Sequence, residues 1–431
     1  MYGQRSYGRP YNPHVEETKK KMSPMLAIVA LCVLGLIFAI PSMSSTRAET
    51  PPTIQPKRPI SPSTIVEGAP SRTVQQNLSD GANDHTATLA TNGVESDGPG
   101  YLRANKPRDS LLLQQQEDYS KQTDFTIRII SDLDQQSKEG KPEKPSFHSL
   151  FVKGILHRDL STNQYSIQWE KQDKLVSKHN EAGRGMELSE LIMYNQKMYS
   201  VEDRTGIVYE IMDFKGESPY AVPRIITTEG DGNTDKGMKL EWATVKDGEL
   251  VLGSFGKEYT ASDGSIINRN NLWVIILDKW GGIRHEDWSE NFMKLRKAAG
   301  AAPPGYMIHE AIMWSTHLNR WVVLPRRVSA ERYDEVEDEK KGSNMVMLCS
   351  EDFNDIHTVR IGNITPERGF STFKFVPGTK DQVVVAIKSE ENAEEETQSS
   401  YAVVFNLNGE ILMEETEIPG GVKYEGLEFV L

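Results

Sequence analysis

MELSELIMY (186–194), KLEWATV (239–245), IHEAIMW (308–314), RGFSTFKFV (368–376) and KYEGLEFVL (423–431) are five segments built alike. In each, one Glu or Ser precedes an alternating apolar stretch: Ser189, Glu241, Glu310, Ser371 and Glu425, at intervals of 52, 69, 61 and 54 residues. Alternation of apolar and polar side chains marks a half-buried strand. A polar group recurring at the same point of a repeated strand sets oxygen ligands around a common axis. A β-propeller does this, with short sheets arranged radially about a channel.

Outward from these segments the pattern stays β from residue 122 onward, in runs such as FTIRII, FHSLFVKGIL, LWVIIL, RWVVLP and QVVVAIK, separated by Gly, Asn, Asp and Pro. The period averages about 60 residues, longer than the roughly 40–45 of WD40 blades, and the Gly-His and Trp-Asp signatures of those blades are missing. Residues 122–431 therefore hold five units, and the expected fold is an all-β five-bladed propeller. A sandwich of the same strands is the alternative, but it leaves the regular polar position without a reason. HEDWSENFMKLRKAAG (285–300) has helical spacing and a glycine stop, and reads as a loop insertion.

Hairpins bring charge back to the level of the axial residues. From Ser189 the strand runs to Tyr194, turns at Asn195-Gln-Lys, and returns to Glu202-Asp203-Arg204. The other returns end at Lys257 and Glu258, at Arg326 and Arg327, and at Lys388 and Glu390. The strand after Glu425 lacks a partner. FTIRII, which ends in Asp132 and Asp134, supplies one, so pairing of the N- and C-terminal strands closes the ring and protects its edges.

Three glutamates aimed at one axis need a counter-charge, either as protons or as a cation. Hard oxygen ligands select Mg²⁺, Mn²⁺ or Ca²⁺ over zinc, and Ca²⁺ accepts the larger, less regular shells that five strands around an axis would provide. HExxH, paired Cys-x-x-Cys, EF-hand, GxSxG and phosphate-loop motifs are all absent.

The rest of the chain bounds the setting. A formal charge of −13 argues against nucleic acid as a partner. Residues 1–24 read as a cytosolic tail, 25–41 as a signal-anchor transmembrane helix behind Lys19, Lys20 and Lys21, and 42–121 as a disordered lumenal stem rich in Pro, Ser, Thr, Asn and Gln. The apolar run is short for a span, which suits the thinner ER and Golgi membranes. A signal peptide cleaved near PSMSSTRA is the alternative, giving a secreted protein. Of the two cysteines, Cys32 lies in the apolar run, which leaves Cys349 unpaired within the domain. Asn77 and Asn363 stand in glycosylation sequons. The acidic runs 331–341 and 389–397 read as solvated loops without chemistry.

RGMELSELI, YSVEDRTGIVYEI, DGNTDKGMKLEWATVKD, PPGYMIHEA, RWVVLPRRVSAERYDE, RGFSTFKFVPGTKDQVVVAIKSEE and VKYEGLEFV occur in an order that resembles the calcium-activated nucleotidase (apyrase) family over residues 122–431. The resemblance implies a five-bladed propeller that hydrolyses nucleoside di- and triphosphates with Ca²⁺ held by Ser189, Glu241, Glu310, Ser371 and Glu425. It implies active-site positions at Asp132, Asp203, Arg204 and Arg326, and UDP and GDP as substrates for a membrane-bound member, with ADP and ATP for a secreted one. Asn271-Leu272-Trp273 departs from the acidic residue expected before that tryptophan. On this reading Arg326, Arg204 and Lys388 are candidates to clamp phosphate, and Asp203 or Asp132 to orient or deprotonate water. Asp134 and Lys257 join the substrate site. Trp273 and Tyr259 are candidates to stack on the base, with a core or rim role as the alternative. A binding propeller stabilised by calcium is the non-catalytic rival, and a homodimer is a further expectation.

Overall fold

Asn195 and Gln196 both take positive φ, 49° and 63°, as do Asp247 and Gly248 at 54° and 80°. Two such residues in succession make the tight hairpin turn whose twist matches that of the strands it joins. These turns open the first two blades of the structure, a computed structural model that describes residues 119–141, 143–392 and 397–431.

Each of the first four blades is an antiparallel sheet whose first strand lies innermost. Blade one comprises Leu188–Tyr194, Lys197–Glu202, Ile207–Met212 and Tyr220–Ile226. Blade two comprises Trp242–Lys246, Glu249–Gly253, Trp273–Leu277 and Ile283–Asp287. Blade three comprises Tyr306–Ser315, Arg320–Ser329, Met345–Cys349 and Ile356–Arg360, and blade four Arg368–Phe375, Val383–Asn392, Thr397–Asn406 and Ile411–Glu417. Blade five is composite. Its inner strand, Lys423–Phe429, pairs with Asp124–Asp132, which pairs with Lys144–Arg158 and through it with Tyr165–Ser177. The expected closure holds, in a register running from Ile127 opposite Phe429 to Asp132 opposite Lys423.

The core sits at the seams. Among the described residues there are five apolar clusters, and each joins two neighbouring blades. Both faces of an inner sheet are therefore covered, which is why strands such as Val383–Asn392 begin with a continuous apolar run rather than a strict alternation. The seam between blades two and three is aromatic: Trp288 meets Trp242, Trp321 and Phe353 with ring centroids 5.8, 5.1 and 5.4 Å apart. At the seam between blades five and one, Gly426 lies against the backbone of Glu190 and Leu191.

The helical insertion is shorter than its pattern suggested. It covers Ser289–Ala298, because His285, Glu286 and Asp287 are drawn into an outer strand against Ile275, Val274 and Trp273. Cys349 is free and buried. Asn363 is exposed in the loop between blades three and four. The tail, anchor and stem to residue 118, with Cys32 and Asn77, lie outside the described residues. Among those described, no helix is long and apolar enough to cross a membrane.

Candidate active site

The five polar positions share a backbone device. Ser189 is the extra residue between the pairs Leu188–Glu202 and Glu190–Val201, Glu310 between His309–Pro325 and Ala311–Leu324, and Ser371 between Phe370–Lys388 and Thr372–Ile387. Glu425 is skipped between Gly426–Ile130 and Tyr424–Ser131. Glu241 donates its N–H to Gly253 O at 2.8 Å while the next residue, Trp242, already pairs with Gly253. A β-bulge leaves one residue unpaired and re-aims its side chain. All five positions are buried.

Cationic side chains fill the space between the axial carboxylates. Arg326 Nη1 donates to Glu310, to Ser371 Oγ at 3.3 Å and to Glu425 at 3.0 Å, while Nη2 reaches Glu391 at 2.7 Å. Lys239 bridges Asp203 and Glu241. Lys423 lies 2.7 Å from Asp132, 3.0 Å from Glu391, 3.2 Å from Asp134 and 3.5 Å from Glu425. Over them opens a cleft of about 640 Å³. Asp132, Asp134, Asp203, Arg204, Lys257 and Arg326 line it together with Glu241, Glu310 and Glu425. Tyr259 is at the wall as well, half-exposed.

Two residues assigned to the substrate from sequence are elsewhere. Lys388 is buried outside the cleft lining, with its ammonium on Glu415 and 4.8 Å from the Phe370 ring. Trp273 begins the third strand of blade two and does not line the cleft. The acidic runs also need correction, because parts of them are not solvated. Glu391 holds both Arg326 and Lys423, and Asp338 accepts the Tyr306 hydroxyl and lines the cleft. Burial of a carboxylate is sustained when cations meet it, and that holds Glu391 well below the usual carboxylate range despite its desolvation.

Sequence reasoning also missed Lys239, Lys423 and Glu187. Each stands two residues before an axial position, Glu241, Glu425 and Ser189 respectively. Glu187 takes a two-pronged ion pair from Arg184, whose guanidinium also reaches Asp134 at 2.9 Å. Asp132, Asp134 and Glu187 each offer an oxygen within 4.8 Å of the others.

Electrostatics at the axis favour further positive charge. Burial pushes Asp132 up to about 6, against the pull of Lys423. Burial likewise pushes Glu241 up to about 8, with Lys239 opposing and Glu310 adding to the rise, and it holds Glu425 well above its ordinary range. Lys239 and Arg326 are desolvated too, yet the carboxylates around them raise both further. Two buried oxygens, Asp203 Oδ1 at the cleft and Ser189 Oγ at the blade-one bulge, have no hydrogen-bond partner. Unpartnered buried oxygens, an oxygen-only donor set and carboxylates that burial disfavours as anions together fit a hard divalent cation.

Residues 133–430 match the apyrase family. A soluble calcium-activated nucleotidase 1 of Rattus norvegicus is 46% identical over 307 residues, 71% of this chain and 74% of that one. An apyrase of Caenorhabditis elegans, apy-1, is 42% identical over 309 residues (71% and 84%), and an apyrase of Cimex lectularius is 40% identical over 309 (71% and 82%). The chain belongs to the apyrase family.

Proposed function

We propose that this chain hydrolyses the terminal phosphoanhydride of nucleoside diphosphates, and of triphosphates, in a calcium-dependent reaction. The observation that carries the reading is the cleft in which Arg204, Arg326, Lys257, Lys239 and Lys423 meet Glu241, Glu310 and Glu425. A polyphosphate needs its charge neutralised and a water held in line, and this cleft has groups for both.

Ser189, Glu241, Glu310, Ser371 and Glu425 would hold the calcium, the serines through hydroxyl or carbonyl oxygen. When bound, calcium supplies Lewis-acid neutralisation of the phosphoryl oxygens. Arg326 and Arg204 bind phosphate oxygens by charge-assisted hydrogen bonds. Lys257, whose ammonium burial lowers to about 8, adds a donor that still carries charge at neutral pH. Asp132 takes the base's position: burial holds it at about 6, close to the range that suits proton acceptance at neutral pH. Asp203, with one carboxylate oxygen on Lys239 and the other unpartnered, orients the water. Asp134 fixes the cleft edge through Arg184 and Lys423. Trp273 and Lys388 have no role in this reading, and Tyr259 is the half-exposed aromatic group offered to the base, with Phe255 and Tyr333 also on the cleft wall.

The substrates proposed are UDP and GDP, in the ER or Golgi lumen, with residues 25–41 as a type II anchor. Secretion after cleavage, with ADP and ATP as substrates, is the alternative. Phosphate release from UDP, GDP, ADP and ATP with calcium or with chelator tests the activity: release that requires calcium is expected, and equal release in both conditions, or none in either, overturns it. N-terminal sequencing of the mature protein separates anchor from signal peptide, because a start near residue 48 means cleavage.

A further inference from the structure

Every carboxylate of the axial ring already holds a cation of this chain's own. Arg326 holds Glu310 and Glu425, Lys239 holds Glu241, and Lys423 reaches Glu425. Arg326 also donates to Ser371, so one guanidinium contacts three of the five ring positions. A cation entering this ring competes with Arg326 for the same oxygens. Arg326 and Lys239 also line the cleft, with Arg204 and Lys257 beside them.

We propose that Arg326, seconded by Lys239, is an internal competitor for the divalent cation, displaced from the ring when the cation binds and thereby released to the substrate's phosphates. The inference rests on the calcium ring proposed above. It follows from charge pairing. While the ring carboxylates hold Arg326, a phosphate gains little from a guanidinium that is already neutralised. Once a divalent cation holds those carboxylates, Arg326 Nη1 loses its ring partners and is free for the cleft, while Nη2 stays on Glu391. The coupling must then be reciprocal, so a nucleotide that engages Arg326 tightens calcium binding by the same factor. A residue that merely shaped the ring would act in the opposite sense, because its removal would loosen calcium.

The test is calorimetric titration of calcium into the full-length chain, with and without a non-hydrolysable methylene analogue of a nucleoside diphosphate. Wild type should bind calcium about tenfold more tightly with the analogue present. Arg326→Gln should bind calcium about tenfold more tightly than wild type without the analogue, and should lose most of the analogue's effect. Weaker or unchanged calcium binding by Arg326→Gln, or an analogue effect as large as in wild type, overturns the displacement. Lys239→Gln, which frees Glu241 in the same way, should change calcium affinity in the same direction and decides the matter if Arg326→Gln does not fold. A wild type that binds no calcium refutes the ring itself. Calcium binding with the wrong sign in the variants refutes only the displacement.

Discussion

Alanine in place of Gly426 probes how tightly the ring is drawn at its closing seam. Gly426 lies outside the positive-φ glycines, so alanine fits its backbone and, by restricting the unfolded chain, would by itself stabilise by about 0.4–1 kcal/mol. The space does not permit it. A Cβ there would lie 2.7 Å from the carbonyl carbon of Glu190, from Leu191 N and from Ile130 Cγ2. Two of these are backbone atoms of the neighbouring inner strand, and ordinary contact begins at 3.4 Å. The strands must part by about 0.7 Å, and overpacking of this kind costs ~1–3 kcal/mol. The net expectation is a loss of about 1–2 kcal/mol. Because Glu425 adjoins the substituted residue and Ser189 adjoins Glu190, the same displacement should weaken calcium binding. Urea unfolding followed by tryptophan fluorescence, with calcium and with chelator, measures both effects, and the loss should be larger with calcium. Gly248→Ala is the control: no atom lies within 4 Å of its Cβ and its φ is 80°, so it carries local strain with no change in calcium affinity. A Gly426→Ala midpoint at or above wild type, with an unchanged slope, would refute the reasoning.

Glu310→Gln should lose turnover and calcium stabilisation together. At a hundredfold excess of calcium over its Kd, wild type should gain about 2.7 kcal/mol, visible as a rise in melting temperature that the variant lacks. Lys257 is held below its ordinary value, at about 8, so between pH 8 and 10.5 the unfolded chain keeps a proton that the folded chain has lost, and stability rises with pH across that window. Lys257→Met should therefore be more stable than wild type at pH 7, by about 2 kcal/mol after allowing for residual solvation. That gain should shrink above pH 8 while KM rises, and pH-dependent unfolding plus steady-state kinetics check both. Burial pushes the Cys349 thiol up to about 12, so Cys349 should be labelled by a thiol reagent only on unfolding, as peptide mapping after labelling in native buffer and in denaturant would show.

The placement of functional groups was legible where it depended on strand pairing. The ring positions, the composite fifth blade and the meeting of Asp132, Asp203, Arg204, Lys257 and Arg326 in one cleft all follow from hairpins returning to their starting level. What failed was parity. Successive strand residues face opposite ways, so Lys388 points to Phe370 and Glu415 while its neighbour Ser389 meets Ser371 Oγ at 2.6 Å. Glu391, on the parity of Ser389, reaches Arg326. The same rule would have found Lys423, two residues before Glu425 on one strand, whereas Lys239 precedes the strand that starts at Trp242. The acidic runs misled because composition reports a solvated loop on average and is silent about the one carboxylate that buried cations select.

The composite fifth blade also sets a timetable for synthesis. Strand Asp124–Asp132 emerges from the ribosome early, but its inner partner Lys423–Phe429 follows only after roughly 290 further residues, tens of seconds at about 5–20 residues per second. Until then one edge of that sheet stays open, and Glu425, Lys423 and the Gly426 seam do not exist. Four blades can assemble while the polypeptide is still attached, yet the cleft cannot, since Asp132 awaits Lys423 and Arg326 awaits Glu425. A ribosome stalled before residue 423 would therefore hold a chain that is mostly sheet, exposed along one strand to chaperones or to its neighbours on the same messenger.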